Sequence, residues 1–151
     1  MVNEQDLEQL RRQLAKIPLV GAMQVELLEF QHGRMQLRAP LAANVNDKGS
    51  AFGGSLVSLM TLAGWALVTA QVQRVGRAAE VYVADSAVRY LAPVYGALHA
   101  QAWLEEGEWS TFLGTLAQRG RARCRIAAQI ALPDGAEGTV LSGRFVAIAT
   151  P

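Results

Sequence analysis

With 151 residues and a formal net charge of +1, the chain has room for one domain and one sizeable core, and no charge excess that would demand nucleic acid or an anionic membrane as partner. The lone Cys124 excludes an internal disulfide, and with only His32 and His99 beside it no spacing suggests a metal site. The opening Met1-Val2-Asn3-Glu4-Gln5-Asp6 is acidic and polar where a secretory signal is basic and then apolar, so a cytoplasmic protein is expected.

A first helix is expected over about Glu4 to Lys16, with Asn3 as N-cap and Leu7, Leu10 and Leu14 on one face, a lid or brace that Pro18 discourages from continuing. Met23 to Phe30 and Arg34 to Ala39 read as a hairpin around Gln31-His32-Gly33. From Gly49 to Gln73 no residue is charged, a run long enough to cross a bilayer. Its Ser, Thr and Gly content and the strand-like segments on both sides predict instead a helix over about Gly54 to Arg74, wrapped by its own protein. Four strands are expected after it: Glu80 to Ala92, Gly96 to Glu105, Arg121 to Leu132 and Thr139 to Ala149, the last two joined by a turn at Pro133-Asp134-Gly135.

A single antiparallel sheet dries one face by covering it, and the long apolar helix is the natural cover. The predicted fold class is therefore α+β: one antiparallel sheet of about six strands curled around one long helix, with an N-terminal helix outside. Open sheet edges need pairing or protection, and joining two copies edge to edge supplies it, so a homodimer is expected, or a tetramer built from it.

This element order is that of the hotdog fold, and the loop before the long helix carries a specific match. Asn46-Asp47-Lys48-Gly49-Ser50-Ala51-Phe52-Gly53-Gly54 resembles the pattern N-x-x-G-x-x-H-G-G of phenylacetate-type hotdog thioesterases, with phenylalanine in place of histidine. The flanks, Pro40-Leu41-Ala42-Ala43-Asn44-Val45 before and Ser55-Leu56 with Leu62-Ala63-Gly64-Trp65 after, are more similar to the branch of thioesterase domains that also occurs fused to bacterial acetyltransferases. Asp85-Ser86-Ala87-Val88-Arg89-Tyr90-Leu91-Ala92-Pro93-Val94 resembles that branch's third strand, and the likeness runs from about Pro18 onward. It implies an enzyme acting on acyl groups attached to coenzyme A or acyl carrier protein, with the carrier as part of the substrate and no separate cofactor.

Two glycines at a helix start let a ligand approach the backbone, where the free N–H groups of the first turn carry the positive end of the helix dipole. The resemblance implies that the thioester carbonyl lies there, with Gly53 or Gly54 as oxyanion donor and Phe52 beside it. Asn46 is the other catalytic candidate, because its amide can donate to a carbonyl or orient a water; its alternative role is an Asx-turn holding the loop. Asn44 is assigned mainly to loop structure.

The departures carry as much information. An acidic residue two turns into the helix serves the resembled thioesterases as base or nucleophile, and Thr61 stands at that position. Gly54, Ser58, Thr61 and Trp65 share one helix face, so the hydroxyls of Ser58 and Thr61 line the pocket or bond back to carbonyls one turn earlier. Asp85 is expected inside a central strand, either near the site across a dimer or holding the strand interface. Arg119, Arg121, Arg123 and Arg125 form a stripe suited to adenosine phosphates or an acidic carrier, or simply a solvated sheet face. Trp103, Trp109 and Phe112 are read as core or pocket wall, and Cys124 as packing.

Three functions fit: hydrolysis of an acyl thioester, decarboxylation of a malonyl thioester to the acetyl thioester, and acyl-carrier binding without catalysis. The missing acid and histidine favour the third, and the retained Asn46 and glycines oppose it.

Overall fold

The computed structural model describes residues 2–151. Helix α1 spans Glu4–Leu14 and is held by a capping box in which Asn3 accepts from Asp6 N and Asp6 accepts from Asn3 N. Leu7, Leu10 and Leu14 form its buried face. A second helix, α2 (Pro18–Met23), follows directly, where the sequence reading had none and began a strand at Met23. Pro18 ends the first helix and also starts the next: it occupies the first turn of α2, a place where its missing N–H costs nothing.

Strands β1 (Glu26–Gln31) and β2 (Arg34–Ala39) are joined by His32 and Gly33, both at positive φ, as a two-residue primed hairpin turn requires. Helix α3 (Gly53–Arg74) comes next, then β3 (Ala79–Tyr90) and β4 (Leu98–Leu104). Helix α4 (Trp109–Arg119) interrupts the expected run of four strands before β5 (Arg121–Ala131) and β6 (Glu137–Ala149). Its signal was the spacing of Trp109, Phe112, Leu113 and Leu116, with Gly120 as left-handed C-cap; the aromatic pair drew the reading toward pocket wall instead.

The six strands form one antiparallel sheet in the order β1-β2-β4-β5-β6-β3. Alternate residues such as Met35, Leu37, Ala100, Ile126 and Phe145 turn inward and are fully buried against α3. Helix α3 is therefore wrapped by its own sheet: Leu59, Met60, Ala63, Ala66 and Leu67 are fully buried, and length and hydropathy alone would have suited a membrane. The opposite sheet face carries Arg34 over the Trp103 ring at 4.0 Å, so Trp103 is not in the core but walls an outer cavity of about 280 Å³ with Ala127 and Ser142. Trp109 and Phe112 meet edge to face at 5.7 Å, with Phe112 buried.

Strand β3 corrects one expectation. It is the outermost strand, paired on one side only with β6, so Asp85 is not in a central strand of this chain. The Asp85 side chain is 54 % exposed and chelates Arg144 of β6 through Nε at 3.0 and 3.1 Å. The arginine guanidinium holds the Asp85 carboxyl below its ordinary range.

Candidate active site

The loop between β2 and α3 is folded by its own polar groups. Asn46 Oδ1 accepts from the N–H groups of Lys48 (2.8 Å) and Ser50 (3.1 Å), and its Nδ2 donates to Ser50 Oγ (2.9 Å). Asn46 N donates to Ser50 O, and a lone bridge pairs Val45 with Ala51. The Asx-turn reading of Asn46 thus describes what this side chain does within one chain; one Nδ2 hydrogen remains for another acceptor.

Two further bonds aim the loop into α3. Ala51 N donates to Val94 O and Phe52 N to Asn44 O, leaving Phe52 extended at φ −65° and ψ 132° just before the helix. The N–H groups of Ser55 and Leu56 return to Phe52 O at 2.9 and 3.1 Å. Gly53 and Gly54 precede any carbonyl the helix can reach, and no side chain caps them. Two oriented backbone donors therefore stand free at the positive end of a 22-residue helix.

The two glycines differ in the room around them. A β-carbon on Gly54 would come within 2.4 Å of the Phe52 ring, and one on Gly53 would touch the Tyr90 ring at 3.4 Å. Tyr90 Oη also donates to Gly53 O at 3.3 Å, a contact the sequence reading did not foresee.

A cavity of about 320 Å³ opens at this helix end, walled by Gly54, Ser55, Ser58, Phe52 and Asn44 and closed above by Leu19 and Met23 of α2. A second, of about 250 Å³, continues along the same face between Leu19, Ser58, Thr61 and Leu62. Gly54, Ser58 and Thr61 are thus brought together as their spacing predicted, while Trp65 packs against the core instead. Thr61 Oγ1 donates to Val57 O at 2.8 Å, so its hydrogen is spent one turn back and its oxygen remains an acceptor. Asp85 lines neither cavity, and among the described residues no carboxylate or imidazole does.

Elsewhere the chemistry is quieter. A larger cavity of about 540 Å³ lies between α1 and β1, but its cation, Arg11, already bonds Glu4, Glu8 and the carbonyls of Leu27 and Leu28. Burial pushes the Cys124 thiol up to about 12, so it carries no thiolate near neutrality. Arg125 pairs with Glu105 and Glu106, and Arg121 and Arg123 are exposed, which suits a solvated sheet face. Among the described residues no group of three or more His, Cys, Asp or Glu is placed to hold a metal ion.

Comparison with known proteins supplies an independent view. The profile of a family described as "Putative thioesterase (yiiD_Cterm)" matches residues 5–149. A "putative thioesterase" from Shewanella oneidensis is 30% identical, with a TM-score of 0.86 over 99% of this chain and 100% of the other. A protein of unknown function from Chlorobaculum tepidum TLS is 26% identical, with a TM-score of 0.89 over 95% of this chain and 94% of the other. The PaaI protein of the Escherichia coli phenylacetic acid degradation operon shares the fold at a TM-score of 0.72 and 12% identity, over 100% of this chain and 97% of the other.

Proposed function

The chain belongs to the "Putative thioesterase (yiiD_Cterm)" family, and from that premise we propose that it hydrolyses acyl groups carried as thioesters on coenzyme A or acyl carrier protein. The observation that carries this reading is the pair of uncapped N–H groups, Gly53 and Gly54, at the start of α3, where Gly54 walls the cavity under α2 and Gly53 a neighbouring one beside Tyr90. Attack on a thioester carbonyl puts negative charge on its oxygen, and preoriented donors at a helix N-terminus favour that charge without reorganising. Asn46 lines neither cavity within one chain, and its remaining Nδ2 hydrogen serves the carbonyl or the attacking water where a second copy completes the site. With no base on the cavity walls, the attacking water's proton goes to the thiolate sulfur released as the carbon–sulfur bond breaks; Asp85, both of whose oxygens bond Arg144, is a weak base even if a second copy brings it near.

That second copy belongs along β3. The strand is twelve residues long, its outer ladder has no partner among the described residues, and Tyr82, Val83, Tyr90 and Leu91 are exposed on or beside it. An open edge of this kind invites pairing with another strand.

The bare walls also favour a second reading, decarboxylation of a malonyl thioester. Breaking the bond to the carboxylate leaves its electron pair in a thioester enolate, which the same donors stabilise, and a proton from water completes the acetyl thioester. No base is needed to start it. Thr61 leaves the site neutral where an acid would repel the malonyl carboxylate.

Incubation with acetyl, malonyl and longer acyl thioesters, followed by mass analysis, separates the readings. Free thiol supports hydrolysis, acetyl thioester from malonyl thioester supports decarboxylation, and unchanged substrates overturn both in favour of binding alone.

A further inference from the structure

The carbonyl of Gly53 and the N–H of Gly54 belong to one peptide unit, a rigid plane held by resonance along it. A donor to that oxygen fixes the plane in which the Gly54 N–H points and draws electron density away from that N–H. Tyr90 is such a donor, its Oη bonding Gly53 O at 3.3 Å. A carbonyl has two lone pairs, so this bond adds to the one that the helix gives the same oxygen. Tyr90 is the last residue of β3, the outermost strand, so the bond ties the end of that strand to the start of α3. Its ring lies against the Gly53 backbone, where a β-carbon would touch it at 3.4 Å, and it walls a cavity of about 320 Å³ together with Gly53, Ala51 and Leu56. The chain on both sides is pinned: Leu91 N and Ala92 N donate to Gly138 O, and Ala51 N donates to Val94 O.

We propose that Tyr90 is a positioning residue: its hydroxyl holds and polarises the Gly53-Gly54 peptide, so that the Gly54 N–H meets the thioester oxygen oriented in advance and as a stronger donor. The inference rests on the proposed thioester chemistry. Negative charge grows on the substrate oxygen as its carbonyl is attacked, or as the enolate forms, and a strengthened N–H favours that charge more than it favours the neutral ground state. Tyr90 touches no reacting atom; it acts through the peptide. Its side chain belongs to a residue 56 % exposed, where water competes for the phenol, so losing the hydroxyl costs a factor of a few and not the roughly hundredfold of a direct donor.

Tyr90→Phe keeps the ring and removes the hydroxyl. Gly53-Gly54 is the sole glycine pair in the sequence. Protein made cell-free with glycine carrying the magnetic isotopes of carbon at its carbonyl and of nitrogen at its amine therefore gives one resonance that correlates the two across a peptide bond. In the variant both the Gly53 carbonyl carbon and the Gly54 nitrogen are expected to move to lower frequency, since a hydrogen bond at the carbonyl deshields each. We expect kcat to fall about two- to tenfold while KM stays within about twofold. Resonances at their original positions overturn the bond. A shift with kcat unchanged, or a loss confined to KM, overturns the positioning role, because a mere wall of the cavity alters binding and not the chemical step. If the unmodified protein turns over no thioester, the proposed function fails on its own, and the resonances still decide whether Tyr90 holds the peptide.

Discussion

The ring of Phe145 lies where a side chain on Gly64 would go: a β-carbon at position 64 would come within 2.6 Å of Phe145 Cζ. Phe145 is fully buried at the middle of the sheet's inner face, so it has nowhere to move. Gly64→Ala is expected to destabilise the protein by about 1–3 kcal/mol despite alanine's better helix propensity. Gly54→Ala meets Phe52 at a similar distance, but that ring is 56 % exposed and can swing away. Thermal unfolding of the two variants checks the contrast: a clear loss at 64 and little change at 54.

Gly53→Pro removes one of the two free N–H groups with little disturbance. Proline suits the first helical position, Phe52 already has the extended backbone that a following proline requires, and the Tyr90 ring is at ordinary contact distance. We expect a fall in kcat of on the order of a hundredfold with the melting temperature little changed. An unchanged kcat would take Gly53 out of the site and leave Gly54 as the donor.

Asn46→Asp separates the two roles of that side chain. The carboxylate still accepts from Lys48 N and Ser50 N, and Ser50 Oγ can turn to donate to it, so the loop should hold. The donor toward substrate is gone, and kcat should fall by roughly a hundredfold. Full turnover in this variant would confine Asn46 to the loop.

Much of this was legible in the sequence because burial leaves periodic marks. The alternation Met35, Leu37, Ala39 placed β2 at its observed bounds, and the uncharged run gave α3 to within a residue of its start. The two missed helices are those whose marks are short or masked: α2 has six residues behind a proline, and α4 is an amphipathic segment between strands, with no side-chain cap at its start. Gly54, Ser58 and Thr61 were found together because helical spacing fixes their common face. Asn44 holds the loop as its sequence setting suggests, but its partners, Met23 O and Pro40 O, meet there only after folding. Asp85 was misplaced because strand order is a long-range property: β3 follows α3 in the chain yet ends the sheet.

Thr61→Asp distinguishes the two reactions from inside the cavity. Like charges about 4 Å apart repel by several kcal/mol at an effective dielectric near 20, so an acid there should abolish turnover of a malonyl thioester by decarboxylation. The same acid can activate water and should permit or raise slow hydrolysis of neutral acyl thioesters. Undiminished acetyl thioester production by this variant would remove the malonyl carboxylate from the neighbourhood of Thr61.

The most direct test of thioester chemistry at the α3 N-terminus is mass analysis of products from the unmodified protein, offered acetyl, malonyl and longer acyl thioesters on both coenzyme A and acyl carrier protein. Our account predicts that at least one is consumed with its thioester carbonyl as the reacting centre, releasing free thiol or, from malonyl thioester, acetyl thioester. Every substrate recovered intact at micromolar enzyme would contradict it.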